Sequence, residues 1–273
     1  TWDELKAICR AILPRERSVK YGLIFHITNF INDFYPIFWG FGGRTHDERG
    51  NFILLQPAML ERAEEALTEL VSWQGTITPP PAALPRFAAP MSLRQAFLRG
   101  EALFMINWNT RLHDLRLMLN DPQWRGQAAI QSVAQIGVAP IPSQSGRPRK
   151  FSNVGSFGWA VNRFAIGQPD VQKMASQFLG LVNSEKVQIL RAETGGEVPS
   201  SAKALEQVKN PDVLRVYENI FASPTVTLQP RPHSRKLNEI LEKNLLNAIF
   251  GRQTPAQAIQ AAAAELRSYG PLD

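Results

Sequence analysis

The chain reads as an α/β protein whose last third is helical. Short apolar runs at 21–27 and 102–107 stand between stretches of helical periodicity, the alternation of α/β layers. From Gln168 onward the pattern is mainly helical. The 273 residues suffice for one large or two medium domains.

Residues 1–13 predict a helix with Leu5, Ile8, Cys9 and Ile12 on one face, opened by the capping box Thr1-Trp2-Asp3-Glu4 and closed by Pro14. Tyr21 to Ile27 follows as a buried strand. The aromatic-dense stretch from Asn29 to Gly40 predicts a helix ending at Gly42-Gly43, which Pro36 would kink or interrupt. Thr45 to Asn51 is a polar turn. Pro57 to Trp73 is an amphipathic helix, with Pro57 in its first turn. The Pro- and Ala-rich segment 76–90 reads as an extended connection.

Ser92 to Arg99 is a short helix, Gly100 stops it, and Ala102 to Asn107 is a strand that delivers Trp108 at its C-terminal end. In open α/β sheets that end is where ligands bind, and an aromatic there is a platform for the apolar face of a sugar ring. Thr110 to Leu119 is a helix. Strands are expected at Ile136–Ile141 and Gly155–Asn162, with a Gly/Pro/Ser-rich loop between them. Helices follow at about 169–182, 184–193, 200–208, 211–222, 233–250 and 254–268. The last is capped by Thr254 with Pro255 at its first position.

Composition narrows the function classes. No run reaches the roughly 18 apolar residues of a membrane helix. No N-terminal signal peptide is seen, and a chain that opens directly on a capped helix leads us to expect removal of something upstream. Cys9 is the lone cysteine, so no internal disulfide forms, and it is expected to be a buried apolar side chain. The net charge of +6 comes from scattered basic residues, which argues against nucleic acid. A positive surface facing an anionic membrane or cell wall is a simpler account.

His26, His46, His113 and His233 stand at no metal-ligand spacing, and each is expected on the surface or in a loop. No Walker A, dinucleotide or nucleophile-elbow motif is present. Asp47/Glu48 and Glu64/Glu65 fall on exposed turns and helix faces. No catalytic residue, metal or cofactor is expected. What remains is aromatics and small polar groups at element ends, a composition suited to a sugar pocket. Phe30, Phe34 and Phe38 are expected in the core, Trp108 on the ligand. Trp39 is a further candidate.

Several segments, in order, resemble the family 1 extracellular solute-binding proteins of ABC sugar importers, of the maltose- and trehalose-binding kind. They are Thr1–Leu5, Phe38–Gly43 with Asp47–Gly50, Ala96–Trp108, Val138–Pro142 with Gly155–Val161, Glu193–Ser200, Arg231-Pro232 and Phe250–Ala258. The resemblance implies a periplasmic-binding-protein-like two-lobe fold of type II, here incomplete. Residues 1–136 and 226–273 would build the C-terminal lobe, and 137–225 the remainder of the N-terminal lobe. Members carry more chain before the Thr1 helix, so a fragment is expected, with apolar surface around 138–142 and 155–161 left uncovered.

The resemblance also carries residues over. Asp33 would accept a sugar hydroxyl, Trp108 and Phe157 would stack, and Arg231 would donate. Gly155 and Ser156 would line the site, with Ser156 narrowing it where members have Gly. Residues 234–238 lack the aromatic of maltose binders, which argues against a long maltodextrin. The expected function is non-enzymatic capture of a mono- or disaccharide and delivery to ABC importer permease subunits. The expected setting is periplasmic or extracellular, as a monomer whose membrane association is only through a lipid anchor or the permease. Alternatives are a sugar-sensing receptor domain, or the same fold carrying polyamine, iron or phosphonate.

Overall fold

The computed structural model describes residues 1–144, 146, 152–154, 158–163, 167–221, 225–227 and 233–270. It begins with α1 (Trp2–Ile12), whose Thr1 side chain accepts from the Glu4 N–H while Glu4 reaches back. Then come β1 (Tyr21–Ile24), α2 (Phe30–Gly40), α3 (Pro57–Ser72), α4 (Pro90–Leu98), β2 (Ala102–Met105), α5 (Arg111–Asn120) and α6 (Pro122–Arg125). The second half contains β3 (Ser152–Val154), α7 (Pro169–Val182), α8 (Glu185–Gly195), α9 (Ala202–Leu205) and α10 (Pro211–Val216). It continues with β4 (Thr225–Thr227), α11 (Ser234–Ile249) and α12 (Pro255–Tyr269).

Two parallel pairs form among the described residues. Tyr21, Leu23 and Ile24 of β1 lie opposite Ala102, Phe104 and Met105 of β2. Ser152 to Val154 pairs with Thr225 to Thr227. Parallel pairing of β1 and β2 follows from the long helical crossover between them. Its consequence is that both strands end at the same edge.

The main core joins α1, β1, α2, α3, α11 and α12, so the two ends of the chain pack together. Trp2 and Trp73 meet at 5.0 Å between ring centroids. Cys9 is fully buried there as expected, and desolvation pushes its thiol up to about 11. Leu98, Leu112, Leu115, Met118 and Leu119 form a second cluster with Val133, Ile136 and Val216. The expected lobe boundary at residue 136 thus falls inside one packed cluster.

Several expected elements differ. Pro36 does not interrupt α2, because nine of the helix's eleven residues are buried and held by the core. Residues 81–87 are a 3-10 helix, not extended chain. Its three-residue turn puts Leu84 and Phe87 on one side, where both are buried. Residues 136–141 are not a strand. The Ile136 N–H closes a turn onto Val133, and Pro140 has no N–H to pair with a neighbour. Of the strand expected at 155–162, residues 155–157 lie outside the described residues and 158–162 are irregular. The helix expected at 211–222 is α10 followed by a π-helical turn, Tyr217–Phe221.

Trp159 is 57% exposed and Val161 is also exposed, whereas Ile141 packs partly on the main core. No side chain of α7 is buried; Met174, Phe178 and Leu181 face outward. No helix of the described chain is long and apolar enough to cross a membrane.

Candidate functional site

The shared C-terminal edge of β1 and β2 gathers polar and aromatic side chains. Beyond Ile24 the chain passes through His26 into the start of α2; beyond Met105 it passes through Asn107 and Trp108 into α5. Gly100 permits this placement. It ends α4 in the left-handed region, φ +72, so the chain turns straight into β2. Ile106 N–H then bonds the Ile24 carbonyl at 3.0 Å, which holds the two exits together.

One hydrogen bond fixes each strand exit at this edge. Asp33 Oδ2 accepts from the His26 backbone N–H at 3.1 Å. The His26 ring lies near the Asn107 side chain, which favours its protonated form. Asn107 Oδ1 accepts from the Trp108 N–H at 2.9 Å. Asp33 and Trp108, both expected site residues, thus border the same edge, with His26, expected on the surface or in a loop, and Asn107 between them. Trp108 is 41% exposed, an available platform.

Burial sets the charge state here. Desolvation pushes the Asp33 carboxyl up to about 8, against the His26 N–H and assisted by Glu242. Asp33 is therefore chiefly protonated at neutral pH and donates as well as accepts. A protonated carboxyl offers a donor beside the acceptor expected of it. His26 is half-buried, and desolvation lowers its pKa, so its ring is neutral. Glu242 of α11 accepts from the Phe30 N–H at 2.9 Å and caps α2 from outside.

Trp39 requires a correction. It is 1% exposed and stacks on Tyr35 at 5.5 Å with an interplanar angle of 6°, so its ring has no face left for a ligand. Phe30, Phe34 and Phe38 are buried as expected. His113 was expected at the surface but is buried in α5 against Gly196. Gly155, Ser156, Phe157 and Arg231 lie outside the described residues.

Beside Trp108, Arg111 donates to Asp114 Oδ2 at 2.5 Å, and Arg94 donates to the same oxygen. These side chains were also missed. Their only sequence signal is the spacing of Arg111 and Asp114, which is common on ordinary helix surfaces. A separate cavity of about 1000 Å³, lined by α3, α12 and Gln144, contains none of the expected site residues. Four of its lining residues, Glu61, Glu64, Glu65 and Glu69, are carboxylates on α3, and two of these are ion-paired to Arg62 and Lys6. Among the described residues no group of three or more His, Cys, Asp or Glu could hold a metal ion.

No family model matches the sequence. Solved structures do. Maltose-bound MalE3 of T. maritima superposes with a TM-score of 0.76 at 23% identity, covering 98% of this chain and 65% of that one. The maltose/maltodextrin-binding domain MalE from Bdellovibrio bacteriovorus, bound to maltotriose, gives 0.75 at 20% identity, covering 98% and 66%. An ABC transporter solute-binding protein from Thermotoga Lettingae TMO, bound with alpha-D-tagatose, gives 0.70 at 18%, covering 98% and 64%. This chain spans about two thirds of the length of the chains it matches. Over that span it has the fold of the ABC-transporter solute-binding proteins.

Proposed function

We propose that this chain is the larger part of an extracytoplasmic solute-binding protein that captures a mono- or disaccharide and delivers it to the permease subunits of an ABC importer. The observation that carries the reading is the exposed Trp108 at the common end of two parallel strands, its N–H held by Asn107, with His26 and Asp33 hydrogen-bonded at the neighbouring strand exit. A planar aromatic takes the C–H face of a sugar, and the adjacent amide, imidazole and neutral carboxyl take its hydroxyls. The solved structures of this fold that carry maltose, maltotriose and tagatose support a sugar as the solute. In this reading residues 1–136 and 226–273 form one lobe, 137–225 part of the other, and the protein binds without turning its ligand over.

The test is a thermal-shift titration of the chain against mono- and disaccharides. A sugar at about 100 times its Kd adds roughly 2.7 kcal/mol of stability. The shift is expected for one sugar class and is expected to vanish in Trp108→Ala. A shift with an amine or a metal ion, and none with any sugar, overturns the reading.

A further inference from the structure

Sugar capture by Trp108, Asn107 and Asp33 leaves two arginines without a role. Arg94 comes from α4 and Arg111 from the start of α5, and both meet a single oxygen of Asp114. Two cations on one anion leave one positive charge in excess. Folding does not ask for it. Arg111 is the first residue of α5, where the helix dipole is itself positive and a cation is disfavoured. The Arg94 side chain is only 12% exposed, and its Nε is buried with no hydrogen-bond partner among the described residues. A donor left unpaired on a buried guanidinium is costly to keep.

The excess charge stands one helical turn from the sugar platform, where the Arg111 backbone N–H donates to the Trp108 carbonyl at 3.0 Å. Both guanidiniums oppose protonation of the half-buried His26, and Asn107 accepts from the Trp108 N–H beside them. Asp33 is chiefly neutral at pH 7 and does not cancel the charge. Glu242 caps the start of α2 at Phe30. Arg111 remains partly exposed; Asp114 engages one of its Nη atoms, and a guanidinium fork carries five N–H donors. A net charge of +6 on the chain favours approach of an anion.

We infer that the solute is an acidic sugar, a hexuronate or a short chain of them, with its ring on Trp108 and its carboxylate on the Arg111 guanidinium. This rests on the sugar-binding reading above and names the class of sugar. Arg111 supplies the charge-assisted bond and Arg94 shares Asp114, so that Asp114 does not neutralise the site.

The test uses isothermal titration of the full chain with pairs that differ only at C6: galactose against galacturonate, and glucose against glucuronate. Glucose 6-phosphate forms a third arm. A uronate is expected to bind at least about tenfold more tightly than its neutral partner, a preference that shrinks as salt is raised. Arg111→Gln is expected to remove most of that preference, and Arg111→Lys to restore only part, because lysine keeps the charge without the fork. Thermal melts of both variants check that they fold. Equal or tighter binding of the neutral partners overturns the acidic-sugar inference and leaves the sugar reading standing. Tight binding of the phosphate with none of the uronates overturns the carboxylate assignment. No binding of any sugar, charged or neutral, overturns both readings.

Discussion

Arg116 holds Asp212 with two parallel hydrogen bonds, Nε to Oδ2 at 2.7 Å and Nη2 to Oδ1 at 3.0 Å. The pair ties α5 to α10 and so crosses the lobe boundary expected at residue 136. Asp212 is nearly buried, at 5% side-chain exposure, whereas Arg116 is 39% exposed. Arg116→Ala would leave that carboxylate with Arg215 at 3.7 Å as its nearest cation. Breaking a buried pair from one side costs about 3–5 kcal/mol, and solvent at Arg116 reduces this to about 2 kcal/mol. Denaturant unfolding of Arg116→Ala, Asp212→Ala and the double variant would measure it. A coupling energy near zero would show that the contact is incidental.

The two tryptophans Trp39 and Trp108 should behave oppositely. Trp39→Ala empties a fully packed site and is expected to cost about 3–5 kcal/mol. Trp108→Ala removes an exposed ring and should change stability by less than about 0.5 kcal/mol. Chemical denaturation of the two variants separates them. Comparable losses would mean that Trp108 is a core residue after all.

Gly22 has no room for a methyl group. A Cβ there would lie 2.5 Å from Cys9 Sγ, 2.9 Å from Cys9 Cβ and 3.0 Å from Ile77 Cγ2. Gly22→Ala is expected to lower stability by about 1–3 kcal/mol through overpacking between α1 and β1. Adding Cys9→Ala removes the closest clash, so the double variant should recover part of the loss. A double variant no more stable than Gly22→Ala would locate the strain elsewhere.

Asp33 makes the fold sensitive to pH in a definite direction. Its folded pKa, about 8, lies above its ordinary value of 3.8, so the folded state holds the proton more tightly. The penalty is absent below about pH 4, grows as pH rises, and levels off above about pH 8. Glu242, also raised by its burial, acts in the same direction. Asp33→Asn removes the charge, and its stability relative to the parent should climb between pH 4 and 8. Melting temperatures of both proteins across that range test this. A constant difference would refute the buried-carboxylate account.

Much of the backbone was legible because its signals are local. The capping boxes at Thr1 and Thr254, the Pro at the start of α3 and α12, and the left-handed Gly100 satisfy dihedral and hydrogen-bond needs within a few residues. The placement of Trp108 followed from the same kind of signal, a stop, a strand and its exit. Residues 81–87 and 136–141 misled for the opposite reason. Leu84 and Phe87 owe their helical turn to a pocket supplied by distant elements, and 136–141 lacks a neighbouring strand among the described residues.

Residue order alone was enough for an α/β arrangement with a helical end, a buried lone cysteine and a tryptophan at a strand terminus. Packing between distant segments sets which tryptophan is free, since Trp39 meets Tyr35 inside the core while Trp108 meets solvent. The same packing brought His26 near Asn107, raised Asp33, and set Arg94 and Arg111 on one carboxylate. Exposure, desolvation and charge pairing depend on groups far apart in the chain. No local pattern of residue types records them.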